Sequence, residues 1–217
     1  MPITIGFDAS RAFQSEKTGT ETYSAQLLKA LAAIDRKNHY RVYIRSANET
    51  QLPANFKLAE IRQPRFWTQV GLAWEVLRNP PDVLFIPAHT LPALPVFLRG
   101  STPKRLRLKT VVTIHDLGAE FLPQYHLWPQ KLYLTASTRF AVKFASHLIA
   151  VSAATKKELV SRYKANPKKI TVIYEGVNHK KFTVHSLRPE LRPRGSPSTV
   201  GIFSMDLQDP WIFKIGS

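Results

Sequence analysis

A histidine followed by an aspartate, His115-Asp116, stands directly after the apolar run KTVVTI (residues 109–114), and a loop marked by Pro123 follows Leu117. Histidine titrates near neutral pH and donates or accepts a hydrogen bond, while an adjacent carboxylate orients a ring or a loop, so the pair suits polar work in a cleft. A lone histidine after a strand is more often a satisfied structural residue, yet the strand, the His-Asp pair and the proline-marked loop together favour function. His89, in Pro87-Ala88-His89-Thr90, holds the equivalent place after a second apolar run, DVLFI (residues 82–86). Gly19 and Thr20 lie where the loop begun at Asp8 turns into a helix. A glycine there lets a ligand approach the backbone, and the free N–H groups of the first helical turn favour an anion such as a phosphate. It serves a bare turn equally well. Ser152 ends a strand and opens Ser-x-x-Thr, which is first of all a helix cap and is compatible with a second role in the cleft. Neither a GxGxxG fingerprint nor a GxxxxGK[ST] loop is present.

Such positions act together only if a sheet brings the strand ends side by side. Short β-branched apolar runs alternate with helical patterns up to about Tyr174, the signature of a parallel sheet with crossover helices, and the expected fold class is therefore α/β, Rossmann-like and doubly wound. Strands are expected over residues 3–8, 40–45, 56–62, 82–86, 109–114, 147–151 and 169–173, and helices over 18–33, 66–77, 128–145 and 153–163. The continuous apolar runs 82–86 and 109–114 have the character of central strands buried on both faces. Phe66, Val70, Trp74 and Leu77 recur at helical spacing, as do Leu132, Ala136, Phe140 and Phe144, which are expected to face the core. The proline-rich stretch 87–109 reads as a loop, and 184–198, rich in Pro, Arg and Ser, as a linker; 199–204 has the pattern of one further strand.

With 217 residues, 44% of them hydrophobic, the chain builds one good core with length left for an appendage. The absence of cysteine removes disulfides, thiolate metal sites and a cysteine nucleophile, and fits a cytoplasmic setting. No signal-peptide pattern opens the sequence, and no apolar stretch approaches the roughly 20 residues that span a bilayer. A net charge of +16 attracts nucleic acid, anionic lipid or phosphorylated substrates without choosing among them. Specific nucleic-acid binding ranks low because no nucleic-acid-binding motif accompanies the charge. Peripheral contact with an anionic membrane, through helix 128–145, competes with simple packing of that helix on the sheet.

Taken in order, FDASR (7–11), TGTETYSAQLLKAL (18–31), PDVLFIPAHTLP (81–92), VVTIHDL (111–117), LIAVSAATKKEL (148–159) and KITVIYEGVNHKKF (169–182) resemble the successive signatures of the N-terminal, acceptor-side domain of family 4 glycosyltransferases. The resemblance covers about residues 3–182 and implies a GT-B architecture of two Rossmann-like domains with the reaction in the cleft between them. It implies retaining transfer of a hexosyl unit from a nucleotide-sugar donor to a glycan or lipid-linked acceptor hydroxyl, with no metal and no other cofactor. By the same resemblance His115, with Asp116 beside it, reaches the transferred sugar, and Gly19 and Thr20 lie near the donor phosphates; His89 and Ser152 are cleft candidates by their strand-end places. The expected division is 1–182 for this domain and 183–217 for a linker and a divergent or truncated start of the second. The Arg/Lys pair and the glutamates by which the family holds the donor have no counterparts in 183–217. The chain is accordingly expected to be inactive without a donor-binding domain: either the sequence is truncated, or its tail is a divergent or frame-altered remnant, or a separate polypeptide supplies the missing half. The alternative is a non-catalytic binding module that recruits anionic glycolipid, membrane or a partner transferase.

Overall fold

The computed structural model describes residues 1–14, 19–46, 51–88, 90–92, 108–117 and 128–176, with side chains from 132 onward in the last stretch. The chain divides into two units, Met1–Gly176 and Val177–Ser217, of which the second lies outside the described residues, as do His89 and the strand expected at 199–204. The described elements are β1 (Thr4–Asp8), α1 (Gly19–Ile34), β2 (His39–Ile44), β3 (Phe56–Glu60), a wide π-helical turn (Trp67–Leu72) running into α2 (Ala73–Arg78), and β4 (Val83–Ile86). They continue with β5 (Lys109–Ile114), α3 (Trp128–Phe144), β6 (His147–Ala150), α4 (Ala153–Tyr163) and, after a short 3-10 turn at Pro167–Lys169, β7 (Ile170–Val172).

All six neighbouring strand pairs are parallel, in the order β3-β2-β1-β4-β5-β6-β7. Each continuous apolar strand is central because both of its faces need cover: all four residues of β4 are buried. The edge strand β3 instead exposes Lys57, Leu58 and Glu60, placing a charge on each face as suits an unpaired edge. Helix α1 packs one face of the sheet through Ala25, Leu28 and Ala32 onto Phe7, Val42 and Phe85. On the other face Leu72 of the π-turn, Val76 of α2, Ala141 and Ala145 around α3 and Leu159 of α4 cover Leu84, Val112, Ile114 and Leu148. This is the expected doubly wound arrangement, with helices on both faces.

The stripe of Phe66, Val70, Trp74 and Leu77 faces outward, and the stripe along α3 faces the core only in its second half. Phe66 and Trp74 are 77% and 62% exposed, and Val70 and Leu77 are exposed with them, while Trp67, Leu72 and Val76 turn inward. Trp67 is pinned there by donating its indole N–H to the Ile61 carbonyl at 3.1 Å, under the Arg45 guanidinium at 5.2 Å, and the left-handed Phe66 (φ 53°) directs the chain into the wide turn that follows. Along α3, Leu132 and Ala136 are exposed and Thr138, Ala141 and Ala145 are buried. A repeat of four drifts by about 40° per step around a helix of 3.6 residues per turn, so the stripe is exposed at Leu132 and Ala136 and reaches the core only at Phe140 and Phe144. Small residues at Ala141 and Ala145 let the end of α3 lie close to the sheet.

Candidate functional site

The strand order reverses between β1 and β4: the chain leaves β1 through α1 toward β2 on one side and proceeds from β4 toward β5 on the other. At such a switch point the connections diverge and leave a crevice beyond the carboxyl ends of the strands, the usual ligand position in open α/β sheets. Residues after β1, β4, β5, β6 and β7 therefore converge on one edge, among them Asp8, Pro87, His115, Ser152 and Glu175.

His115 sits at the centre of this edge, its side chain 9% exposed. Its Nε2 lies 2.8 Å from the Pro87 carbonyl oxygen beyond β4, and its Nδ1 lies 2.7 Å from Oε1 of Glu175, three residues beyond β7. Both partners are acceptors, so both contacts are satisfied together when each ring nitrogen carries a hydrogen. Tyr23, in the second turn of α1, meets the imidazole edge-on with ring centroids 4.7 Å apart, a geometry that aromatic quadrupoles favour. Burial pushes the Tyr23 phenol up, offset in part by the nearby Thr113 hydroxyl and reinforced by the negative charge of Glu175, so it stays protonated at neutral pH. The Tyr23–His115 contact joins the two sides of the switch point.

Ser152 caps α4, its Oγ accepting the Thr155 N–H at 3.0 Å, and it shares a hydroxyl contact of 2.9 Å with Thr155. Thr155 in turn donates to the His115 carbonyl at 3.3 Å. The cap thus braces the main chain that carries His115, and the two sequence readings of Ser152 meet in one network. Asp116 is exposed next to it. Thr20 is half-buried and Gly19 exposed at the start of α1. A Cβ added at Gly19 meets no described atom within 4 Å, and its φ is not left-handed, so neither packing nor backbone conformation among the described residues calls for glycine there.

The rim beyond β1 carries a second polar group. Asp8 is buried with its Oδ1 accepting the Ser10 N–H at 3.0 Å; desolvation pushes its carboxyl up against that hydrogen bond and the charges of Arg11 and Arg45. Glu21, in the first turn of α1, pairs with Arg11 at 2.7 Å. Among the described residues no three His, Asp or Glu side chains converge as a metal-ligating group.

His115, Ser152, Gly19 and Thr20 are thus brought to one edge of the sheet, and the residues that complete the site were not singled out in the sequence. Tyr23 lies in the family-like segment 18–31 without a role of its own. Glu175 lies within the family-like segment 169–182 but is given no role there, although it too follows a strand end, the signal that singles out His115.

Comparison with known proteins places this geometry in a family. The O-antigen chain mannosyltransferase RfbU of Salmonella typhimurium (strain LT2) is 30% identical over 94 residues, which span 43% of this chain and 22% of that protein. The crystal structure of WaaG, described as a glycosyltransferase involved in lipopolysaccharide biosynthesis, shares the fold with a TM-score of 0.54 at 16% identity, over 81% of this chain and 46% of WaaG. The chain therefore spans less than half the length of either relative. The sequence profile of Glycosyltransferase Family 4 matches residues 17–181, from the start of α1 past the end of β7, and the chain belongs to that family.

Proposed function

We propose that this chain forms the acceptor-side half of a glycosyl transfer site, in which a hexosyl unit passes from a nucleotide-sugar to an acceptor hydroxyl with retention of anomeric configuration. The bond from the anomeric carbon to the diphosphate breaks, the bond to the acceptor oxygen forms, and the acceptor's proton leaves with the diphosphate. The carrying observation is His115, held at the carboxyl edge of the sheet next to the switch point, in contact with α1 and with the segments beyond β4 and β7. In this reading His115 contacts the transferred sugar with Asp116 beside it. Gly19 and Thr20 face the donor phosphates, where the α1 N–H groups stabilise the departing charge without a metal. His89 and Ser152 line the acceptor side, and a donor-binding domain, in the same or a separate polypeptide, holds the nucleotide.

The acceptor in this reading is a glycan or lipid-linked glycan met at an anionic membrane surface. The exposed Phe66, Val70 and Trp74, flanked by exposed Arg62, Arg65 and Arg78, support that surface with apolar groups to enter the interface and cations to meet lipid phosphates. No helix among the described residues is long and apolar enough to cross a membrane.

The test is His115→Ala in the whole protein, assayed with a panel of UDP- and GDP-hexoses and a lipid-linked glycan acceptor. Turnover falls by about 100-fold or more, product NMR shows the donor's anomeric configuration, and EDTA has no effect. Unchanged turnover in His115→Ala would sink the assignment of His115, and an inverted product would sink the retaining course.

A further inference from the structure

We propose that Glu175 is a positioning residue for His115, fixing the plane of the imidazole and keeping Nδ1 protonated through the 2.7 Å contact; this rests on the reading of His115 as the residue that meets the transferred sugar. An imidazole turns about two side-chain torsions, and a ring anchored at one nitrogen still swings about that contact. Here Pro87 holds Nε2, Glu175 holds Nδ1, and Tyr23 packs against the ring, so position, plane and face are all set. A carboxylate accepting the Nδ1 hydrogen leaves Nε2, now directed at the Pro87 carbonyl, as the ring nitrogen that a substrate oxygen would share or take over, and the partner of a functional histidine generally sets the ring in this way.

The asymmetry of exposure separates this arrangement from an ordinary ion pair. The His115 side chain is 9% exposed and that of Glu175 is 49% exposed, so the carboxylate reaches in from solvent to the buried ring. A purely structural pair at that exposure contributes little to stability. Glu175 also lies in the last stretch of the first unit, which ends at Gly176, so the contact ties the exit of the domain to the strand-end histidine over a separation of 60 residues.

The experiment compares Glu175→Ala, Glu175→Gln and His115→Ala, each with an unchanged circular dichroism spectrum. Ring NMR is recorded on the 217-residue chain, and turnover is assayed in the whole protein with the same hexose-nucleotide panel. Glu175→Ala is expected to lose the slowly exchanging Nδ1–H resonance of His115 and to lower kcat by roughly 10-fold, with the donor KM changed by less than about 3-fold. The Gln variant, whose amide oxygen still accepts from Nδ1, is expected to retain the resonance and recover most of kcat. A protected Nδ1–H in Glu175→Ala, or wild-type kcat in that variant where His115→Ala is inactive, overturns the proposal and leaves the reading of His115 standing. Wild-type turnover in His115→Ala overturns that reading instead, and the Nδ1–H resonance then decides the positioning contact by itself.

Discussion

Arg11 reaches across from the loop after β1 to hold Glu21 in the first turn of α1, Nη1 to Oε1 at 2.7 Å, and Glu21 is 4% exposed. A buried carboxylate at this place is stabilised twice, by the guanidinium and by the positive end of the helix. The pair fixes the start of α1 and therefore Tyr23, two residues on.

Removing Arg11 takes away one of the positive charges that offset the buried Glu21, which costs more than the net worth of the pair. Arg11→Ala is expected to lower stability by about 1–2 kcal/mol, a range reduced for the half-exposed arginine. Glu21→Gln, which removes the charge together with its need for a partner, is expected to cost less. Urea midpoints of the two variants decide it. A smaller loss in Arg11→Ala than in Glu21→Gln would mean that the helix end, not the guanidinium, carries the charge of Glu21.

Asp35 closes the turn from α1 into β2. Its oxygens accept from the backbone N–H groups of Lys37 (2.9 Å) and Asn38 (3.1 Å), from the Asn38 amide (2.8 Å) and from the Tyr40 hydroxyl (2.7 Å). Desolvation pushes the carboxyl up, but these hydrogen bonds together outweigh it and hold its pKa down to about 2. A depressed carboxyl stabilises the fold above its unfolded value, near 3.9, and loses that contribution as pH falls toward the folded value. Asp35→Asn is therefore expected to cost about 1–2 kcal/mol at pH 7 and progressively less between pH 4 and pH 2. A pH-independent difference in unfolding free energy across that range would refute the assignment.

Gly6 and Gly19 make opposite predictions. A Cβ at Gly6 comes within 2.8 Å of Tyr43 Cε2 and 2.9 Å of Pro81 Cγ, and Tyr43 is fully buried, so Gly6→Ala overpacks the core and is expected to cost about 1–3 kcal/mol. Gly19→Ala places its methyl in open space at the start of a helix and is expected to stabilise by up to about 1 kcal/mol. The same methyl stands between the backbone and the proposed donor phosphates, so donor KM is expected to rise. Destabilisation by Gly19→Ala, or an unchanged KM, contradicts the open phosphate-facing position.

The stripe on the π-turn and α2 is tested with vesicles. Wild-type protein is expected to sediment with vesicles containing anionic phosphatidylglycerol and not with neutral phosphatidylcholine, with binding lost as salt rises, each basic residue near the surface contributing about 1 kcal/mol. Phe66→Glu with Trp74→Glu is expected to abolish that binding without changing the unfolding midpoint, since both side chains are exposed. Equal sedimentation of the double variant would move the contact elsewhere on the molecule.

Much of this protein is legible along the chain. The runs 82–86 and 109–114 are apolar at every turn of the pleat or nearly so, and only a strand covered on both faces tolerates that, which makes them central; they are the cores of β4 and β5. The strand-end places of His115 and Ser152 follow from the same local pattern. Periodicity announces that a helix has an apolar side, but not which side meets the sheet, because drift along the helix and a wide π-turn rotate the stripe; Phe66, Trp74 and Leu132 face outward for that reason. The site's closure belongs to tertiary structure alone. Placing β4 between β1 and β5 brings Tyr23 to His115 from 92 residues away, their ring centroids 4.7 Å apart, and placing β7 beyond β6 lets Glu175 turn back to the same ring. Strand order is decided by which faces of all the elements bury together, a non-local balance that no single stretch of sequence contains.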